Sequence, residues 1–176
     1  MSLLQTVEPE QAQGEVAEVY QILTQAIGLI PNAMKMLSIN PMALRHTAEA
    51  VGYAMHHPSL SPMLFTMIRQ CVSSHVGCQY CITVNRGLLL QMGLDMDAVL
   101  ALENNPATAP LDDKEKALLL YTIRAVKNSN QVGETDVETL RKLGINDLEI
   151  FDALNHGARQ VAADIMINAL KVESDF

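Results

Sequence analysis

Apolar residues recur at helical spacing along almost the whole chain. Between Glu10 and Ala26 the residues Val16, Val19, Tyr20 and Leu23 fall three or four apart, and Ile27 extends the stripe before Gly28 and Pro31 close it. A short turn of helix follows over residues 33–37. Asn40-Pro41 opens a helix running to about Met55, because proline suits a first turn, and His56-His57-Pro58 breaks it. Ser61-Pro62 opens another, with Leu64, Met67, Ile68 and Cys71 on one face. Gly77 bends or interrupts the chain, and Leu88 to Leu90 carry a helix on to the Gly93 stop. Residues 95–102, 113–126, 135–143 and 146–170 complete the predicted set. Asn146 with Glu149 resembles a capping box in which Asn replaces Ser or Thr. No segment alternates with the period of a strand, so the pattern predicts an all-α fold.

A faint echo runs through this pattern. Leu60-Ser61-Pro62 leads into a helix, and Leu111-Asp112-Asp113 does so 51 residues later. At the same offset Met92-Gly93-Leu94-Asp95 is matched by Leu143-Gly144-Ile145-Asn146. Two related helical hairpins would produce this match, and so would helix-stop chemistry alone. Ser129 stands opposite Cys78, so one copy alone carries paired cysteines.

The length of 176 residues suits a single domain over residues 1–176, with a central portion of about 41–126 around the cysteines. Although 49% of residues are hydrophobic, no uncharged apolar run approaches the ~20 residues of a membrane span. The start of the chain has no basic, apolar leader, so we expect a soluble, cytoplasmic protein. A net charge of −8 and 4% aromatic residues speak against nucleic acid or an anionic membrane as a partner. Ten methionines and the large apolar fraction suggest more apolar helix surface than one small domain hides, hence a homo-oligomer.

Two of the three cysteines form the sequence Cys78-Gln79-Tyr80-Cys81. On a helix, residues three apart share a face, which brings two sulfurs within bonding reach. Such a pair cycles between dithiol and disulfide, provided a base, a cation or a helix N-terminus favours the thiolate. By itself CxxC fits redox chemistry first, with a metal site and simple packing equal behind it. His75 would share the face of Cys78 if the helix were continuous and would then serve as a base, but it reads first as a surface or interface histidine. His156 reads as a structural residue on a remote helix. Tyr80 reads as a packing residue with a polar tip, Cys71 as a core thiol, and His46 as a solvent-facing or capping residue. His56 and His57 would complete a zinc set by count alone, without the paired short loops such sites use. No Gly-rich phosphate loop or metal set implies a cofactor.

The order of these features resembles the carboxymuconolactone decarboxylase and alkylhydroperoxidase D superfamily, and within it the peroxidase-related branch. The resemblance rests on Leu60-Ser61-Pro62, Cys71-Val72-Ser73-Ser74 and the cysteine pair, with Ile30-Pro31-Asn32-Ala33 and Asn40-Pro41 before them. It continues at Leu111, through residues 136–144, and into Asn168-Ala169-Leu170-Lys171-Val172. The resemblance implies an all-helical bundle, a homo-oligomer, and a relay made of a Glu twelve residues before the first Cys and a His four after the second. Those positions hold Thr66 and Asn85, and the His that precedes the second Cys in the alkylhydroperoxidase D proteins proper is Tyr80. The implied activity is therefore reduction of a small peroxide or disulfide through Cys78 and Cys81, with an external dithiol as reductant and a weakened relay. A scaffold or redox sensor of the same family is the alternative, and lactone decarboxylation, which needs no paired thiols, comes last.

Overall fold

The computed structural model describes residues 2–175. Its regular structure is helical, and no strand occurs among the described residues. The chain divides into two compact units, Met1–His56 with Met166–Phe176, and His57–Ile165.

The first unit contains α1 (Gly14–Ile27), α2 (Asn32–Leu37) and α3 (Pro41–Met55). Helix α1 starts four residues later than its apolar stripe predicts, because Pro9–Gln11 form a separate 3-10 turn. Gly28 ends α1 in the left-handed region, φ 78°, where glycine carries no Cβ penalty. The Asn40 side chain caps α3 by accepting from Ala43 N–H, with Pro41 in the first turn. Val16, Val19, Tyr20 and Leu44 form the core of this unit. The Tyr20 hydroxyl donates to the Val7 carbonyl at 2.8 Å, tying the N-terminal segment to it.

The second unit contains α4 (Pro62–Val76), α5 (Gln79–Gln91), α6 (Met96–Asn104), α7 (Asp113–Lys127) and α8 (Glu134–Lys142), and then most of α9 (Asp147–Ala169). Helix α4 is the buried centre: Leu64, Phe65, Met67, Ile68 and Val72 expose at most 1% of their surface. It packs against α5 and α7. Ser61 caps α4 through Leu64 N–H, and its N–H and hydroxyl both donate to Glu115 in the first turn of α7, at 2.6 and 2.7 Å. Asn146 and Glu149 form the reciprocal capping box expected at the start of α9. Gly157 lets α9 approach its neighbours: a Cβ there would lie 2.6 Å from Thr122 Cγ2 and 3.4 Å from Ile68 and Val126 methyls. No described helix is long and apolar enough to cross a membrane.

Candidate functional site

The chain turns sharply just before the cysteines. Gly77 sits in the left-handed region at φ 80° and ends α4, and Cys78 follows at once as the cap of α5. The helix is thus not continuous through this segment, which corrects the condition under which His75 would face Cys78. His75 lies exposed on the last turn of α4. Cys78 Sγ instead accepts from the backbone N–H of Cys81 at 3.4 Å, in the position an N-cap oxygen normally takes. Partial positive charge at the start of a helix favours an anion there, so a thiolate is held rather than merely tolerated.

All three cysteines are free thiols and all are buried. The Cys78 thiol is held below its ordinary value, first by a bond from the Cys81 side chain, with burial opposing and the Cys81 backbone N–H assisting. Cys81 moves the other way, pushed up by that same bond, by burial and by Asp164. These interactions favour ionisation of Cys78 before Cys81.

The carboxylate beside them was absent from the sequence reading. Asp164 is fully buried in α9, and one of its oxygens lies within 4.8 Å of both sulfurs, which are themselves within 4.8 Å of each other. Its Oδ1 accepts from Ser73 Oγ at 3.0 Å and from Gln160 Nε2 at 2.7 Å; Gln160 Nε2 also donates to Ser73 Oγ. Its Oδ2 is buried with no hydrogen bond of ordinary length. Burial raises the Asp164 carboxyl above its usual range, against the lowering effect of Cys81, Gln160, Ser73 and Cys78. A carboxyl that holds its proton more tightly than usual beside a thiol pair is equipped to give and take that proton.

The expected relay positions also come together, around a residue not anticipated. Arg69, partly buried on α4, donates from Nη2 to Thr66 Oγ1 and from Nε to Asn85 Oδ1, both at 2.9 Å. Its Nη1 lies 3.1 Å from His156 Nε2, which must accept, so this imidazole is neutral with its proton on Nδ1. Asn85 Nδ2 in turn donates to the Cys81 carbonyl at 2.9 Å. Each of these three acceptors is uncharged. Burial pulls Arg69 down to about 10 while the Cys81 sulfur opposes the shift, so the cation is close enough to favour a thiolate there. His156 is pulled to about 3 by burial, then by Arg69 and Arg159, and so is poorly suited to act as a base. It packs edge-on to Phe65, with ring centroids 4.9 Å apart. His156, on a helix remote in sequence, does fold back onto α4.

Tyr80 is buried in the first turn of α5. Cys71 sits in mid-α4, pushed up to about 12 by burial, and its thiol has only a distant contact of 3.9 Å to the Leu102 carbonyl. His57 is engaged by Asp152 at 3.1 Å and accepts from Ser59 and Leu60 N–H, so it does not join the cysteines. His46 is exposed on α3. A cavity of about 620 Å³, bordered by Leu3, Thr6, Lys35 and Glu173 among others, lies in the first unit and is lined by none of the residues around the cysteines.

No family model and no curated protein matches the chain. Solved structures do. An uncharacterized peroxidase-related protein from Silicibacter sp. TM1040 is 24% identical, with a TM-score of 0.80 over 97% of this chain and 87% of its own. An uncharacterized peroxidase-related protein from Ralstonia eutropha JMP134, described as an alkylhydroperoxidase AhpD core, is 20% identical, with a TM-score of 0.84 over 99% of this chain and 92% of its own. The debrominase Bmp8, solved as a cysteine-to-alanine variant with 2,3,4-tribromopyrrole, is 15% identical, with a TM-score of 0.73 over 99% and 94%. The chain has the alkylhydroperoxidase D-like fold.

Proposed function

We propose that the protein reduces small hydroperoxides through Cys78 and Cys81, with Asp164 as the proton donor and acceptor. The observation that supports this reading is the convergence of two thiols and one buried carboxyl within 4.8 Å. The Cys78 thiolate attacks the terminal oxygen of ROOH, breaking the O–O bond and forming Cys78–SOH. The alkoxide takes the Asp164 proton and leaves as ROH. Asp164, now a carboxylate, accepts the proton of Cys81 as that sulfur attacks Cys78. The S–S bond forms, and hydroxide leaves with that proton as water. The peroxide has gained two electrons and the thiols have lost two. An external dithiol reopens the disulfide by exchange, itself becoming a disulfide.

Thr66 and Asn85 cannot move protons at neutral pH, since a hydroxyl is too weak an acid and an amide does not titrate. Here they hold Arg69 instead. Relative exposures of 0% for Cys78 and 5% for Cys81 favour a small oxidant over a folded protein disulfide. Exposed apolar side chains such as Ile22, Leu148, Phe151 and Ile165 support assembly into a homo-oligomer. Light scattering at micromolar concentration checks this, and a monomer mass would refute it.

The test is stopped-flow reaction of the pre-reduced chain with hydrogen peroxide and a panel of organic hydroperoxides, with thiols counted before and after. Rapid loss of two thiols per peroxide, followed by turnover with a dithiol, is the expected result. Slow stoichiometric loss would leave a sensor or scaffold. Halide release from a halogenated pyrrole without peroxide turnover would move the assignment toward dehalogenation, Bmp8 being named a debrominase.

A further inference from the structure

The donors around the thiol pair have a chemistry besides redox. Cys78, Cys81 and Asp164 are the one trio of His, Cys, Asp or Glu donors found within 4.8 Å of one another among the described residues, and all three are buried. Zinc–sulfur bonds of about 2.3 Å in a tetrahedron place two sulfurs roughly 3.8 Å apart, a separation inside the 4.8 Å within which these donors lie. The frame is already built. The Cys78 position is set by the cap of α5, Cys81 lies in the first turn, and Ser73 with Gln160 anchors Asp164 through Oδ1.

A second observation points to a ligand. Asp164 Oδ2 is buried with no partner beyond the two thiols that face the carboxyl. Such an oxygen costs free energy unless a proton or a cation occupies it. Charge points the same way. Two thiolates and a carboxylate carry three negative charges against two on a divalent ion. Arg69, whose hydrogen bonds go to neutral Thr66, Asn85 and His156 while Cys81 acts on it electrostatically, supplies the remaining positive charge.

We propose that the reduced protein binds one thiophilic d10 divalent cation, Zn2+ being the physiological class, through Cys78 Sγ, Cys81 Sγ and an Asp164 oxygen. A fourth position remains for water, as in three-ligand zinc sites. Binding displaces the protons carried by Cys81 and Asp164 to solvent. The bound ion masks both thiols from oxidants, and a disulfide offers no thiolate to hold it. This inference shares its residues with the proposed peroxide reaction but does not rest on it, since affinity is read without peroxide and turnover is read in chelator.

The experiment titrates the reduced full-length chain anaerobically with Cd2+, following the sulfur-to-cadmium charge-transfer absorption, and then displaces Cd2+ with Zn2+. The band is expected to saturate at one ion per chain. It should vanish in Cys78→Ser and in disulfide-oxidised protein, and persist unchanged in Cys71→Ser. Asp164→Asn, checked for native helicity, should weaken binding at least about tenfold. No saturable band, equal affinity in folded Asp164→Asn, or a need for Cys71 would overturn the proposal. X-ray absorption of the zinc-loaded native protein covers the case in which that variant does not fold. Two sulfur scatterers with the rest oxygen or nitrogen are expected; a four-sulfur shell would overturn it.

Discussion

The two halves of the second unit run in register and differ where the chemistry sits. Shifted by 51 residues, α4 (Pro62–Val76) falls on α7 (Asp113–Lys127). The end of α5 falls on the end of α8, the left-handed Gly93 on the left-handed Gly144, and the start of α6 on the start of α9. Two departures stand out. The first half bends at Gly77 and starts α5 immediately, with Cys78 as its cap; the second inserts the 3-10 turn Ser129–Gln131 and delays α8 to Glu134. Conversely α6 stops at Asn104, whereas α9 continues well past the equivalent residue, Asn155. The overrun carries His156, Gln160 and Asp164 at intervals of four, hence on one face. One half supplies the thiols and the extension of the other supplies the carboxyl that faces them, so repetition of the frame does not mean repetition of the site.

The comparison breaks most completely at the tight bend. Cys78→Ser or Cys81→Ser should each abolish two-thiol turnover with peroxide, and peptide mapping of oxidised native protein should find the Cys78–Cys81 bridge. A main species bridged through Cys71 would reverse the roles assigned to the cysteines. Next in size is the seat of the overrun. Gly157→Ala drives a methyl against Thr122 Cγ2 at 2.6 Å, so we expect a loss of about 1–3 kcal/mol in urea denaturation and slower thiol oxidation as α9 is displaced. Unchanged stability would mean that α9 does not need this close approach.

A smaller effect follows from His156, whose folded value of about 3 lies below the ordinary 6.5. The native state binds this proton less readily than the unfolded chain, so its contribution favours folding above pH 6.5 and is lost as pH falls from 6.5 toward 3. His156→Gln keeps an acceptor for Arg69 and should reduce the loss of urea midpoint between pH 7 and pH 4.5; an identical loss would remove His156 from the account. The smallest effect is expected at Cys71, whose thiol remains protonated up to about pH 12. Cys71→Ala should leave the rate of peroxide consumption within about twofold, measured beside native protein.

Most of the frame could be read from the chain because its punctuation is local. Proline in the first turns of α3 and α4, the caps Asn40, Ser61 and Asn146, and glycine stops at Gly28, Gly77 and Gly93 act within one or two turns. The thiol pair was legible for the same reason. Asp164 was not, because it lies 164 − 81 = 83 residues beyond Cys81 and reaches the sulfurs only when α9 packs onto α4. A signal was present nonetheless: Ile150, Ala153, Gly157 and Asp164 share the buried stripe of α9, and a carboxylate on such a stripe requires a partner. Spacing picks out Thr66 and Asn85, which the fold joins through Arg69, but a lone arginine on a helix looks like surface and gives no such signal.

The claim that Asp164 transfers protons, rather than merely tuning charge, can be separated from its alternative in one variant. When ionised, Asp164 raises both thiols, so Asp164→Asn should lower their titration and increase the thiolate fraction over the pH range in which that carboxyl is charged. A site governed by thiolate electrostatics would then become faster. A site that needs the carboxyl to protonate the leaving alkoxide and deprotonate Cys81 should slow by about 100-fold or more, the usual contribution of acid–base assistance. Thiolate absorbance and stopped-flow peroxide reduction, recorded across pH on native protein and folded Asp164→Asn, should therefore show more thiolate and much less turnover. More thiolate with equal or faster turnover would contradict the role given to Asp164.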